Sequence, residues 1–287
     1  DIYRFNYDVS NRGMAIRCIE TIEGCTDSYA SNFNEEANVD DGSCAGYPDN
    51  GDYSLHFDGQ NNYVDCGDED EFSFIDNPFT IYAIINVNEL SNSNIISKYD
   101  VNNENREWLF GFTEDGELTL ALYNAGDPDD ERLVSGNMDN FIGEWHSVLG
   151  IYDGENGAEG ISLYLDGIQL IDATIESEGI FESMDNTAAD LVIGRQGGNN
   201  FDGGINQISI WDREITSEEI LNLENNIQPI ETGLIADWKF NEGEGDILYD
   251  HSGNGNHGTI NGATWVENIY GCTDPAATNY DETANVD

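Results

Sequence analysis

Between residues 52 and 266 the chain passes through short runs of Val, Ile, Leu, Tyr and Phe, each closed by Gly, Asn or Asp. DYSLHFDG, NYVDCG, FTIYAIINV, NIISKYD, EWLFGF, ELTLALYN, WHSVLGIYDG, ISLYLDGIQLIDA, DLVIGR, INQISIWD, LIADWKF and GTINGATWV all read as strands. Asp58-Gly59, Asp115-Gly116, Asp153-Gly154 and Asp166-Gly167 are tight-turn signals between them. Ile161, Leu163 and Leu165 alternate with Ser162 and Tyr164, the period-2 pattern of a strand buried on one face. About a dozen such strands bury their apolar faces only by stacking two sheets, so the expected fold is an all-β antiparallel sandwich. One helix is expected at TSEEILNLENN, where Thr216 and Glu219 form a capping box and Ile220, Leu221 and Leu223 supply the buried face.

Two copies of a short motif bracket these strands. GCTDSYASNFNEEANVD, starting at Gly24, and GCTDPAATNYDETANVD, starting at Gly271, share 11 of 17 positions. The first copy continues to DGSC, which puts Cys25 and Cys44 at its two ends and predicts a disulfide between them. Five cysteines leave an odd count. Cys272 is expected to pair beyond Asp287, and Cys18 either upstream or with Cys66. No C-x-x-C or H-x₃-H spacing supports zinc. Disulfide-closed modules point to an oxidising, extracellular setting. The expected organisation is a remnant of a preceding module at 1–20, a disulfide-closed repeat at 24–44, the sandwich at 47–268 and the start of a second repeat at 271–287. The whole reads as a piece of a longer polypeptide.

Nine Lys plus Arg stand against 58 Asp plus Glu, a net charge of −49. Phosphate binding needs basic neutralisation, so nucleic acid is excluded as a partner, and docking on anionic lipid is disfavoured. No apolar run approaches the ~18 residues of a membrane span.

SLHFDGQNNYVDCG, FTIYAIINV, EWHSVLGIYDG, ISLYLDG and LVIGRQ, followed by FDGGINQISIWDREITSEEI, occur in an order that resembles the laminin-G-like, concanavalin A-like jelly-roll family. GLIADWKFNEGEGDILYDHSGNGNHGTINGATW resembles a segment found beside such domains in bacterial surface proteins. The resemblance covers about residues 47–268 and implies a two-sheet jelly roll. Asn206-Gln207 stand where the family often carries Asp-Glu. The flanking motif resembles calcium-associated repeats of thrombospondin type 3 character.

Two calcium sites are expected. Calcium takes six to eight oxygens from carboxylates, amides and carbonyls at about 2.3–2.6 Å, and Asp27, Asn38, Asp40 and Asp41 offer such donors in the first repeat. The alternative there is a linker whose polar side chains cap its own turns. Asp250, Asn254 and Asn256, in the glycine-rich YDHSGNGNHG, are the second set, in a loop that the family resemblance associates with a structural calcium, the alternative being a plain Asn/Gly loop. For a ligand, Tyr99, Arg106, Trp108 and Tyr123 are the candidates: aromatic rings stack on a sugar's apolar face while polar groups take its hydroxyls. Trp108, beside Arg106 and Glu107, reads as the least buried tryptophan, whereas Trp145, Trp211, Trp238 and Trp265 read as core or rim.

Enzymatic motifs are weak. Carboxylate pairs are uninformative among 58 acids, the E-x-D-x-x-E strand of lectin-fold glycosidases is absent, and His56, His146, His251 and His257 lack a nucleophile motif. His146 falls where the family has a structural W-H pair. The expected role is a non-enzymatic, calcium-stabilised adhesion or recognition module of a surface protein, binding glycan or protein. The rival is a structural block of a surface appendage that contacts copies of itself or neighbouring modules. A polysaccharide-active enzyme is a distant third.

Overall fold

A computed structural model describes residues 20–286, apart from 101–104, 125–129, 135–140, 156, 178–180 and 228–230. Cys18 and the segment 1–19 therefore lie outside the described residues. Among those described, two large antiparallel sheets face each other. The eight-stranded sheet runs Ile168–Gln169, Ile161–Leu165, Trp145–Tyr152, Phe79–Val87, Asp202–Trp211, Tyr53–Asp58, Thr264–Glu267, with Leu234–Trp238 also paired to Asp202–Trp211. The nine-stranded sheet runs Thr174–Ser177, Asp130–Val134, Leu118–Tyr123, Asn105–Phe112, Ser93–Asp100, Leu191–Ile193, Tyr63–Asp65, Gly258–Asn261, Ile247–Leu248.

Strand alternation fills the space between them. Leu55, Phe57, Ile81, Ile85 and Ile208 of one sheet pack with Ile96, Trp108, Phe110, Leu120 and Ile193 of the other, all fully buried in one cluster. Each such side chain contributes about 1.5–3 kcal/mol by leaving water. The Asp166-Gly167 turn has both residues at positive φ, 49° and 72°, and joins Ile161–Leu165 to Ile168–Gln169 as a two-residue hairpin.

The helix Ser217–Glu224 starts at the expected box: Glu219 N–H donates to Thr216 Oγ1, and Thr216 N–H to Glu219 Oε2. Arg213 adds a two-pronged ion pair to Glu219. Ile220 and Leu223 cover Tyr82, Leu149 and Trp211 on the outer face of the eight-stranded sheet. Leu221, expected on that buried face, is 62% exposed. One residue along a helix turns the side chain by about 100°, so neighbours in sequence do not share a face.

The two motif copies fold alike. Gly24 N–H bonds Val39 O as Gly271 N–H bonds Val286 O, and Asn34 N–H bonds Cys25 O as Asp281 N–H bonds Cys272 O. The Cys25–Cys44 disulfide closes the first copy, while Cys66 and Cys272 are in no disulfide with the other described residues. Cys66 is buried, which pushes its thiol pKa well up.

Candidate functional site

The two segments expected to hold calcium meet each other. Asp27 of the first repeat accepts from the Tyr47 hydroxyl and from His257 Nε2, both at 2.7 Å on Oδ2. His257 belongs to the 249–258 loop, and its Nδ1 accepts from Asp250 N–H at 2.9 Å. Tyr29, Tyr47 and Tyr249 close around the His257 ring at centroid distances of 5.1–5.4 Å. The repeat is thereby clasped to the loop by one carboxylate and a cage of rings.

The donors in this clasp do not form a calcium cage. Asp250 Oδ1 accepts from Asp237 and Ser252 N–H, and Oδ2 from Ser252 Oγ and Asn256 N–H. Asp40 Oδ2 takes Thr26 N–H and Oγ1, and its Oδ1 takes Gly42 N–H. Asp41 takes Ser43 N–H. Asn38 takes Ile22 N–H and donates to Glu20 O, as Asn285 does with Ile269 and Glu267 in the second copy. Asn254 and Asn256 both donate their amides to Ile235 O. A hard cation needs oxygens turned toward one point; both oxygens of Asp27, Asp40 and Asp250 face N–H or O–H donors, and Asn254 and Asn256 enter the network through their amide N–H groups. Among the described residues, Cys25, Asp40 and Cys44 form the one close set of metal-ligand types, and both sulfurs are consumed by the disulfide. As arranged, these side chains staple the turns of the two segments.

Where the family often has Asp-Glu, Asn206 donates its amide to Tyr53 O at 2.8 Å, and Gln207 donates to Asp237 and Ser209. An ionised carboxylate, which only accepts, fills neither role. Asp52 completes this seam, accepting from the Asn268 amide and the Tyr270 hydroxyl at 2.7 and 2.6 Å and so bracing the segment that leads from the sandwich into the second repeat.

The expected ligand residues divide. Tyr99, Arg106 and Tyr123 come together at one end of the nine-stranded sheet. Tyr99 and Arg106 stand opposite each other in register, with the guanidinium 5.6 Å from the Tyr99 ring centroid. Tyr99 meets Tyr123 edge-on at 4.8 Å. Tyr99 and Arg106 are half-buried, and Tyr123 lies buried behind them. Trp108 is elsewhere. It is fully buried, packs on Phe74 and Phe79, and donates its indole N–H to Phe72 O at 2.9 Å. The expectation of a ligand-stacking Trp108 is therefore corrected.

A β-bulge explains the difference. Trp108 pairs with Lys98 and Arg106 with Tyr99, so Glu107 is an extra residue on its strand and turns inward with its neighbour. Lys98 and Glu107 are both fully buried. Lys98 Nζ donates to Asp68 at 2.6 Å and to Ala189 O at 2.7 Å, and lies 3.8 Å from Glu107 Oε1. That oxygen also accepts from Thr187 N–H and Oγ1. Burial raises the Glu107 pKa, opposed by the Thr187 bonds and the Lys98 charge. The charged stretch that suggested exposure is a buried ion network beneath the Tyr99 cluster.

His146 stacks on Phe141 with centroids 4.6 Å apart, and its Nδ1 lies 2.9 Å from Asp166 Oδ2, a packing and hairpin-bracing position.

Residues 58–221, more than half of the chain, match the laminin-G-type family model of the concanavalin A-like lectin/glucanases superfamily. The chain belongs to that family. No curated protein matches it. Among solved structures it is similar to a protein of Bacteroides ovatus ATCC 8483 with a provisional carbohydrate-binding assignment, at 19% identity and a TM-score of 0.52. That similarity covers 82% of this chain and 65% of the other, just under two-thirds of its length. It is also similar to the CBM40 of a Ruminococcus gnavus IT-sialidase bound to α2,3 sialyllactose, at 13% identity and a TM-score of 0.45, over 60% of this chain and 96% of that one. At these identities the likeness is one of fold.

Proposed function

We propose that this chain is a non-enzymatic carbohydrate-recognition module of an extracellular surface protein, binding glycan through the outer face of the nine-stranded sheet. The observation that carries the reading is the Tyr99–Arg106–Tyr123 cluster. A half-exposed ring is held in a fixed pose by a second ring behind it and a guanidinium beside it. Sugar recognition uses this combination, a rigid apolar plate with directional donors at its rim. The provisional carbohydrate-binding assignment of the Bacteroides protein, which shares the fold, supports the same class. The Cys25–Cys44 disulfide supports an oxidising compartment, and among the described residues no helix is long and apolar enough to cross a membrane. Calcium forms no part of this reading, since Asp27, Asp40 and Asp250 already accept hydrogen bonds on both oxygens.

A broad glycan array probed with the wild-type chain and with Tyr99→Ala and Arg106→Ala tests it. Specific binding that falls about tenfold or more in both variants, with melting temperature unchanged, is the expected result. An empty array, or binding indifferent to both substitutions, overturns the assignment.

A further inference from the structure

We propose a second carbohydrate subsite on the opposite sheet, centred on Trp145, that takes a neutral pyranose ring in the cleft between the sandwich and the second repeat. It does not depend on the Tyr99 cluster, which lies on the other sheet.

The register aligns Thr264, His56, Gly204, Asn86 and Trp145 in one row across five strands of the eight-stranded sheet. Their neighbours Leu55, Phe57, Ile85, Val87, Ile205 and Val148 belong to the core, so strand alternation turns this row outward. The helix covers the other half of the outer face, over Tyr82, Leu149 and Trp211. This half carries no helix.

Gly204 lets the indole lie down on the sheet. A Cβ there would sit 2.9 Å from Trp145 Cη2, so any side chain displaces the ring. The indole is only partly buried, and beside it the row offers an amide and an imidazole. No hydrogen bond joins the side chains of His56 and Asn86 or the Trp145 indole N–H to the other described residues. Asn206, on the neighbouring strand of the same sheet, and Asn285 of the second repeat by contrast donate to chain acceptors. Three unconsumed polar groups in one row with a flat aromatic plate match what a sugar needs, stacking below and hydroxyl partners at the sides.

Trp145 also forms a wall of a cleft of about 500 Å³, with Glu144 beside it and Thr273, Asn285 and Val286 of the second repeat opposite. That volume lies in the range of small-ligand sites. Charge selects the ligand. Among the described residues no Lys or Arg lines the cleft and Glu144 is its one charged lining residue, and the chain carries −49. An anionic sugar is repelled, whereas neutral hydroxyls donate to Glu144 and accept from the indole N–H.

The test is calorimetric titration of the full chain with neutral xylo-, cello- and manno-oligosaccharides, and with uronic-acid and sialylated oligosaccharides in parallel. The expected result is binding of a neutral oligosaccharide that weakens about tenfold in Trp145→Ala and in Asn86→Ala and is unchanged in Arg106→Ala. Asn86→Ala and His56→Ala, on the surface row, give the answer should Trp145→Ala fail to fold. Neutral binding that these row variants leave intact overturns the subsite, as does binding of acidic oligosaccharides alone. Loss only in Arg106→Ala removes this subsite and keeps the first. Failure of every oligosaccharide to bind removes both.

Discussion

Asp27 and His257, 230 positions apart, share a hydrogen bond of 2.7 Å that fastens the first repeat to the far end of the sandwich sequence. Because His257 Nδ1 accepts from Asp250 N–H, Nε2 is the ring nitrogen left to donate to Asp27. Burial pushes the Asp27 pKa up, but the bonds from Tyr47, Tyr29 N–H and His257 outweigh it and hold the carboxyl below its ordinary value. A lowered carboxylate pKa contributes stability that is present above the ordinary value and lost as pH falls through the lowered one. Asp27→Ala is expected to cost about 1–3 kcal/mol, the range for stranding buried partners. Hydrogen exchange should show faster opening at Asn34 and Ser31 in the variant, with the sandwich strands unchanged.

The same region separates two redox- and metal-dependent outcomes. The Cys25–Cys44 cross-link closes a loop with a sequence separation of 19, and its reduction is expected to cost the repeat about 3 kcal/mol. A chelator is expected to leave the melting temperature where it was, since Asp27, Asp40 and Asp250 already have hydrogen-bond donors on both oxygens. A rise of several degrees on adding calcium to chelator-treated protein would show that these carboxylates reorganise around the ion.

Two buried groups give opposing pH responses. His251 is lowered to about 4, chiefly by burial and further by the nearby Lys239 charge. Its unfolded form binds the extra proton between about 4 and 6.5, so it makes the fold less stable as pH falls through that range. Glu242 is raised to about 7 by burial, its Tyr249 N–H bond only partly opposing. Its folded form holds the proton between about 4.5 and 7, so it makes the fold less stable as pH rises there. The wild-type melting temperature should be nearly flat from pH 4.5 to 6.5, where the two windows overlap. Glu242→Gln should expose a profile rising with pH, and His251→Gln one falling with pH. Parallel profiles in the two variants would refute the pairing.

Periodicity made the sandwich legible where Ile161, Leu163 and Leu165 alternate with Ser162 and Tyr164 and so fix a face, while runs such as FTIYAIINV read as strands from their β-branched and aromatic content. Thr216 and Glu219 likewise marked the helix start through a purely local pair of bonds. Short polar strands such as Thr174–Ser177 and Asp130–Val134 had no such signature, since they exist by pairing with a neighbour. The two calcium candidates are oxygen-rich loops by composition, which does not say which way an oxygen points; the carboxylates of Asp27, Asp40 and Asp250 point at N–H and O–H donors of the chain. The Trp145 row was invisible for a different reason: His56, Asn86, Gly204 and Trp145 come from four strands and meet only through sheet register.

Trp108 and Tyr99 should separate stability from binding. Removing the buried Trp108 ring opens a cavity against Phe74 and Phe79 and strands Phe72 O, so Trp108→Ala is expected to cost about 3–5 kcal/mol. Tyr99→Ala, at a half-exposed position, should cost under about 1 kcal/mol while weakening glycan binding. Chemical denaturation of both variants, with binding measured only where they are folded, checks the division.

The buried pair beneath that face should respond to single and double substitution in opposite ways. Lys98 and Glu107 are both fully buried, with Asp68 bonded to Lys98 and Thr187 to Glu107 Oε1. Removing one partner leaves the other charged in a low-dielectric site, and Lys98→Met alone is expected to destabilise by about 3–5 kcal/mol. Pairing Lys98→Met with Glu107→Leu removes both desolvation penalties and fills the volume with apolar atoms, so the double variant should recover most of that loss. The bulge that Glu107 occupies is set by backbone pairing, hence Tyr99 and Arg106 should keep their places and glycan binding should survive. If the double variant is folded but binds no glycan, the ion pair positions the outer cluster as well as the core. A double variant as unstable as the single one would mean instead that Thr187 and Ala189 depend on these charges to hold their loop against the sheet.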